Sequence, residues 1–330
     1  MTDWYTACDK AAAILTHTVP ETYRSRTFSG ILGDIKALPP EKALSLISRK
    51  KGLGTQYAYL YLTRGIDRGR GYQACAAEAL SSVLRDTHAD ILMGNILDVG
   101  CAVGVTAGVL GIDRVTGFDL FPDLLRAAQL VDSFTGAHHM YSVADMTRFW
   151  PFTCVFDTVV CGLVCHHLKE QSDIVTFFSQ ANRVLKKDGW IIITLPSGAV
   201  STAAQLISLV KALEHFGFLT ERNLSGMVLS TDSSHSLFWM FVLIAQKVSE
   251  KIGQVFVSTL FGFPLYRTPV KREDKGVQAK LTLTRERQVK HKTFTMIDID
   301  ELKKKYKDYT LIYDNVADIS TNMRMKRTKK

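Results

Sequence analysis

The sequence predicts an α/β fold: a seven-stranded, mostly parallel sheet with flanking helices, preceded by a helical N-terminal segment and followed by a smaller β-rich C-terminal lobe. Three observations carry this. From Asn95 onward short apolar runs alternate with helix-length stretches, the pattern of strand–helix–strand units. The first run, Ile96–Val99, leads into a small-residue turn with Gly100, Ala102 and Gly104, and then into a helical pattern. Acids recur where successive strands should end, at Asp98, Asp119 and Asp145. A glycine-bearing turn between strand and helix, at the carboxyl end of a parallel strand, is the geometry of a Rossmann-like nucleotide crevice.

The first 90 residues read as helical and irregular, with helices expected over Asp9–Thr18, over Glu41–Arg49 after Pro39-Pro40, and over Tyr72–Arg85. Strands are expected over Ile96–Val99, Arg114–Asp119, His139–Ala144, Phe156–Leu163 and Trp190–Leu195. Between them lie helices over Pro122–Val131, with its early proline, and Asp173–Leu185, which should stop at Lys186-Lys187-Asp188-Gly189. A helix over Ser201–Phe216 should end at Gly217. Two last strands, Phe218–Asn223 and Leu237–Gln246, should flank a polar loop. Beyond Val248, half-buried strands are expected over Gln254–Phe261, Gln278–Thr284, Phe294–Ile299 and Thr310–Tyr313. A short helix is expected over Asp298–Tyr309, and a basic disordered end from Met323. The division this suggests is 1–90 as a lid or substrate segment, 91–247 as the nucleotide-binding domain, and 248–330 as a basic accessory lobe and tail.

The chain has 330 residues, 46% of them hydrophobic, enough for a substantial core. No apolar run approaches the ~18 residues of a membrane span. The start, Met-Thr-Asp-Trp-Tyr, lacks the features of a secretion signal. Six irregularly spaced cysteines then read as reduced thiols in a cytoplasmic protein. The formal charge is +9, and essentially all of the excess falls after Val248. A basic face favours anionic partners such as RNA or lipid headgroups; a solvated surface with a frayed tail is the plainer reading.

The turn narrows the chemistry. A dinucleotide site would show G-x-G-x-x-G with a pyrophosphate on the helix start. Here the spacing is Asp98-x-Gly100-x-Ala102-x-Gly104, and an acid before the first glycine repels a pyrophosphate but suits an ammonium group. Asp119 lies about 20 residues beyond the turn, where an acid meets ribose hydroxyls in nucleotide folds. Its carboxylate can accept both vicinal hydroxyls.

These residues resemble motif I and the following strand-end acids of class I S-adenosylmethionine (SAM) methyltransferases. The resemblance implies SAM as cofactor, with Asp98 near the methionine moiety, Gly100, Ala102 and Gly104 in the turn, and Asp119 on the ribose. It places Leu120 against the adenine face, Asp145 on the adenine amino group, and the Met146 backbone on the ring edge. Ala102 departs from a family glycine and leaves slightly less room. Val164-Cys165-His166-His167-Leu168 is similar to the His-His-Leu segment of the type 11, small-molecule branch. Asn182–Gly189 is similar to its helix end, with Lys-Asp in place of Pro-Gly. The resemblance covers roughly residues 90–247.

His166 and His167 are candidate bases, His166 preferred, because imidazole titrates near neutrality; one of them capping the loop is the structural alternative. Tyr57, Tyr61 and Tyr72 are candidate substrate contacts, since aromatic faces attract cations, or ordinary packing residues. Cys161, Cys165 and the two histidines lack the pattern of a structural zinc site, and no metal is expected. The function this implies is methyl transfer from SAM to a small-molecule acceptor. Two other readings stay open: an RNA or protein methyltransferase that uses the basic C-terminal region, and a non-catalytic scaffold of the same fold. Neither the acceptor atom nor the oligomeric state follows from the sequence.

Overall fold

The computed structural model describes residues 2–19, 21, 53–65, 71–84, 89–153, 155–168, 171–196, 210, 213–221, 224–230, 238–248, 285–289 and 292–298. The chain forms two compact units. One comprises Met1–Glu78 and Asn95–Pro151, the other Ala79–Gly94 and Phe152–Lys330.

In the first unit, helix α1 (Trp4–Thr16) starts at Asp3, whose carboxylate accepts the Thr6 N–H at 3.1 Å. Its buried residues Ala7, Cys8, Ala11 and Ala12 recur at helical spacing on one face. Helix α2 (Leu53–Leu60) runs directly into a π-helical turn, Tyr61–Gly65, and α3 (Tyr72–Leu84) follows. The small side chains of α1 allow close packing: Ala7, Ala11, Ala58 and Leu60 share one apolar cluster with Val103, Val105, Leu124 and Val131. Strands β1 (Ile96–Val99), β2 (Thr116–Asp119) and β3 (Met140–Val143) are parallel in the order β3-β2-β1. Helix α4 (Val105–Leu110) joins β1 to β2. Helix α5 (Pro122–Thr135), with proline in its first turn and Gly136 as left-handed stop, joins β2 to β3. These βαβ crossovers are the Rossmann-like element expected.

In the second unit, β4 (Phe156–Gly162) ends in a short 3-10 turn, Cys165–His167. Helix α6 (Gln171–Val184) then leads to β5 (Leu185–Pro196), parallel to β4. Strands β6 (Phe218–Thr220), β7 (Gly226–Ser230), β8 (Phe238–Lys247), β9 (Arg285–Val289) and β10 (Lys292–Asp298) add antiparallel pairs, in the order β4-β5-β8-β7-β10-β9 with β6 also on β8. Met240–Ala245 of β8 is buried throughout, the continuous apolar run of a strand covered on both faces. Lys247 at its end is buried too; its Nζ donates to the Asn182 and Leu185 carbonyls, both at 2.8 Å, which satisfies a cation taken out of water.

Two expectations are corrected, and one further pairing emerges. β5 begins at Leu185, because Lys186–Gly189 is a bulge inside the strand: pairing jumps from Phe156–Leu185 to Thr158–Trp190 across Asp188, at φ 62°. The loop expected between the last two strands contains β7, which pairs with β8 from Gly226–Val242 to Ser230–Phe238. In the C-terminal region β9 lies at Arg285–Val289 and β10 pairs with β7, so the described strands there extend this sheet. The expected helix over 41–49, most of that over 201–216, the strands over 254–261, 278–284 and 310–313, the segment after Asp298 and the basic end lie outside the described residues. No helix among the described residues is long and apolar enough to cross a membrane.

Candidate cofactor-binding site

Parallel pairing sets Leu97, Asp98 and Val99 opposite Thr116, Gly117 and Phe118, so Asp98 and Asp119 close neighbouring strands at the same end. Asp98 is 2% and Asp119 8% exposed. Burial, and then the charge of Asp119, push Asp98 up to about 7. Burial pushes Asp119 up to about 6, although the Phe121, Ala102 and Leu120 N–H groups draw it down. Among the described residues Asp98 Oδ2 is buried with no hydrogen-bond partner. An orphaned carboxylate oxygen is unfavourable until a cation or donor completes it.

The turn after β1 is held from β2. Gly100 and Cys101 N–H groups both donate to the Phe118 carbonyl, at 2.8 and 3.1 Å. Ala102 N–H donates to Asp119 Oδ2 and Phe121 N–H to Asp119 Oδ1, each at 3.0 Å. Each oxygen keeps a second acceptor position, so Asp119 can brace the turn and still take a pair of hydroxyls. Gly104, the N-cap of α4, has φ 77°, and a Cβ there would lie 3.1 Å from Tyr141 Oη. Ala102, which replaces a family glycine, sits at φ 49°. Its departure is therefore conformational as well as spatial, since left-handed backbone is disfavoured for L-residues with a Cβ.

After β3, Ala144 N–H donates to the Asp119 carbonyl at 3.1 Å, which sets the Asp145 loop beside β2. Asp145 Oδ1 accepts the Thr147 N–H and hydroxyl at 2.8 and 2.7 Å, leaving Oδ2 as the oxygen with spare capacity. Trp150, fully buried and edge-on to Phe118, donates from Nε1 to the Met146 carbonyl at 3.1 Å and pins this segment. Leu120 is half-buried between Asp119 and Phe121.

Of the three tyrosines, Tyr57 and Tyr61 meet edge-to-face at 5.8 Å, and Tyr57 meets Phe121 at 5.6 Å. Burial first, and Asp119 with it, push both hydroxyls up; Tyr57 and Asp98 add to the effect on Tyr61. Both therefore stay neutral donors beside the acid pair. Tyr57 is a buried member of the apolar cluster, while Tyr61 and Tyr72 are half-buried. The first unit thus gathers Asp98, Gly100, Ala102, Gly104, Asp119, Leu120, Asp145, Met146, Tyr57 and Tyr61. His166 and His167 belong to the second unit. There their half-buried rings stack at 3.9 Å with a 40° tilt, after Leu163, whose N–H donates to Thr194 Oγ1 at 3.0 Å. No group of three or more His, Cys, Asp and Glu among the described residues is placed to hold a metal.

Sequence reasoning missed Tyr141, Phe121 and Trp150, which brace the turn and the Asp145 loop. It also missed Gln56, 4% exposed, whose Oε1 has no hydrogen-bond partner among the described residues. The available signal for Gln56 was a lone amide within Leu-Gly-Thr-Gln-Tyr-Ala-Tyr-Leu.

This donor set fits SAM: a buried open carboxylate for the cationic amino-acid end, and a partly occupied one for hydroxyls. Residues 97–193 match the family described as "Methyltransferase domain". A ubiquinone biosynthesis O-methyltransferase of Chromobacterium violaceum is 31% identical over 111 residues, 32% of this chain and 46% of that protein. A methyltransferase of Geobacillus sp. strain WCH70 is 32% identical over 107 residues, 31% of this chain and 42% of that one. The chain thus spans less than half the length of these curated relatives. A TehB-like SAM-dependent methyltransferase of Corynebacterium glutamicum has a solved structure similar over 50% of this chain and 86% of its own, with 21% identity and a TM-score of 0.36. Over residues 97–193, less than a third of its length, the chain thus carries a methyltransferase domain of the type 11 kind.

Proposed function

We propose that this protein transfers a methyl group from SAM to a small-molecule acceptor by in-line displacement. One observation carries the reading: Asp98 and Asp119 lie buried at adjacent strand ends, and Asp98 Oδ2 has no hydrogen-bond partner among the described residues. In this reading Asp98 serves the amino-acid end of the cofactor and Asp119 both ribose hydroxyls. Leu120 lies on the purine face, Asp145 accepts from its amino group, and the Met146 backbone meets its edge. Gly100, Ala102 and Gly104 let the turn approach closely. Bound there, SAM supplies an electrophilic methyl on a sulfonium.

The protein's contribution is positioning, which can supply most of the rate. Tyr61, Tyr72 and the less accessible Tyr57 form the acceptor side and exclude water. His166, with His167 stacked on it, takes a proton where the acceptor must lose one. The relative named for ubiquinone biosynthesis supports a small acceptor and a transfer to oxygen. The proposed organisation is 1–90 as lid, 91–247 as catalytic domain and 248–330 as accessory region. A cytoplasmic location is supported by the five cysteines among the described residues, which are buried and free.

The test is incubation with methyl-labelled SAM in an extract of the source organism, with label separated into small molecules, RNA and protein. Label in small molecules, absent with Asp119→Ala, is the expected result. Label in RNA that weakens steeply with salt and needs residues 248–330 would install the basic region as the substrate-holding part instead. No labelling and no SAM binding would leave a scaffold.

A further inference from the structure

We propose that Cys161 and Cys165 are a redox modification site, closing to a reversible disulfide that disables the turn bearing His166 and His167. The bridge stands on geometry alone; the loss of activity rests on the role proposed above for that turn. The two sulfurs lie 3.1 Å apart, about 1 Å beyond a disulfide bond. Cys161 is the penultimate residue of β4 and Cys165 the first of the 3-10 turn. Between them Leu163 holds φ 56°, left-handed backbone that folds the chain back on itself. Its N–H is gripped by both the hydroxyl and the carbonyl of Thr194, at 3.0 and 3.1 Å, so the fold-back is anchored to β5. Cys161 is fully buried and Cys165 9% exposed, which suits a small oxidant and a slow reaction. Burial, with the adjoining Cys161 sulfur adding to it, pushes the Cys165 thiol up.

The oxidant class is a peroxide. The Cys161 thiolate attacks one peroxide oxygen; an S–O bond forms as O–O breaks, and the departing hydroxide leaves as water after taking a proton. The Cys165 sulfur then displaces the oxygen of the sulfenic acid. An S–S bond forms, S–O breaks, and the Cys165 proton departs in a second water. Two thiols lose two electrons in total, and one peroxide is reduced to two waters. A free thiol reverses the bridge by exchange. Drawing the sulfurs together moves the segment that begins the histidine turn by up to about 1 Å, and misplacement of that size near reacting groups slows chemistry by as much as about 100-fold.

The experiment treats the reduced full-length chain with hydrogen peroxide, alkylates it with N-ethylmaleimide in denaturant, and maps the peptides by mass. The expected tryptic peptide, which also holds Cys154, is two hydrogens lighter at Cys161 and Cys165, carries one alkyl group, on Cys154, and returns to three alkylated thiols after dithiothreitol. Cys8, Cys75 and Cys101 alkylate throughout as internal controls. Methyl transfer by the oxidised protein falls about tenfold or more and recovers on reduction, and Cys165→Ser protects it. Cys161 and Cys165 both alkylated after oxidation, or sulfinic acid without a bridge, overturn the site; the native peptide map decides this even if the variant folds poorly. A bridged protein with full transfer activity overturns the disabling role. Reduced protein that binds no SAM and transfers nothing would count against the proposed activity, with the bridge still read from the map.

Discussion

At the ends of β1 and β2 two carboxylates are buried and pushed toward neutrality, and Asp98 Oδ2 has no hydrogen-bond partner among the described residues. At the end of β4 Thr194 holds Leu163, one cysteine sulfur meets another, and one imidazole lies against its neighbour. Both are strand ends of α/β units, yet among the described residues the first keeps a buried carboxylate oxygen with no hydrogen-bond partner, while at the second the fold-back at Leu163 is closed by Thr194. The proposed cofactor role rests on the acceptor capacity of the first end, and the second enters the reaction only through the role proposed for His166.

The largest effect should come from what holds the open end together. Trp150→Ala removes a fully buried indole and the donor to the Met146 carbonyl, and should destabilise the protein by about 3–5 kcal/mol in urea denaturation. Asp119→Ala removes the acceptor of two backbone N–H groups and of the proposed hydroxyl pair. Hydrogen bonds to a charged group are worth about 1.5–3 kcal/mol each, so SAM affinity by calorimetry should fall about 100-fold or more.

Asp98→Asn should split stability from binding. Because the folded pKa of Asp98 is raised, its stabilising contribution is complete below the unfolded carboxylate value near 4 and is lost as pH rises through about 7. At about pH 8 the amide should therefore melt higher than the native protein, by an amount equivalent to about 1–2 kcal/mol, while binding SAM more weakly. A variant that lost both would mean that the open oxygen is structural.

At the closed end, Thr194→Val removes one acceptor from Leu163 but leaves the backbone carbonyl in place. It should change stability by about 1 kcal/mol or less, with SAM affinity unaltered. A large loss of affinity there would erase the contrast between the two ends.

Much of this was readable from residues. The first five strands follow from apolar runs bounded by turns, and Asp98, Asp119 and Asp145 stand at or just beyond the carboxyl ends of successive strands. What escaped was decided by tertiary pairing. Lys186-Lys187-Asp188-Gly189 looks like a loop, and only the partner strand makes it a bulge. Gly226–Ser230 is too short to stand out until β8 pairs with it. The π-helical turn after Leu60 and the left-handed Ala102 leave no mark in composition. Within the site, the acids were legible as residue types, but their burial, and hence their raised pKa values, come from tertiary packing that also brings Tyr57 and Tyr61 near them.

The most direct test of the account is a calorimetric titration of SAM at about pH 5.5 and about pH 8, each in two buffers of different ionisation enthalpy. A cationic ligand that completes Asp98 and Asp119 must favour their charged forms, so binding should tighten with pH and release protons at the lower one. Affinity that is flat with pH and free of proton release, or absent altogether, would contradict it.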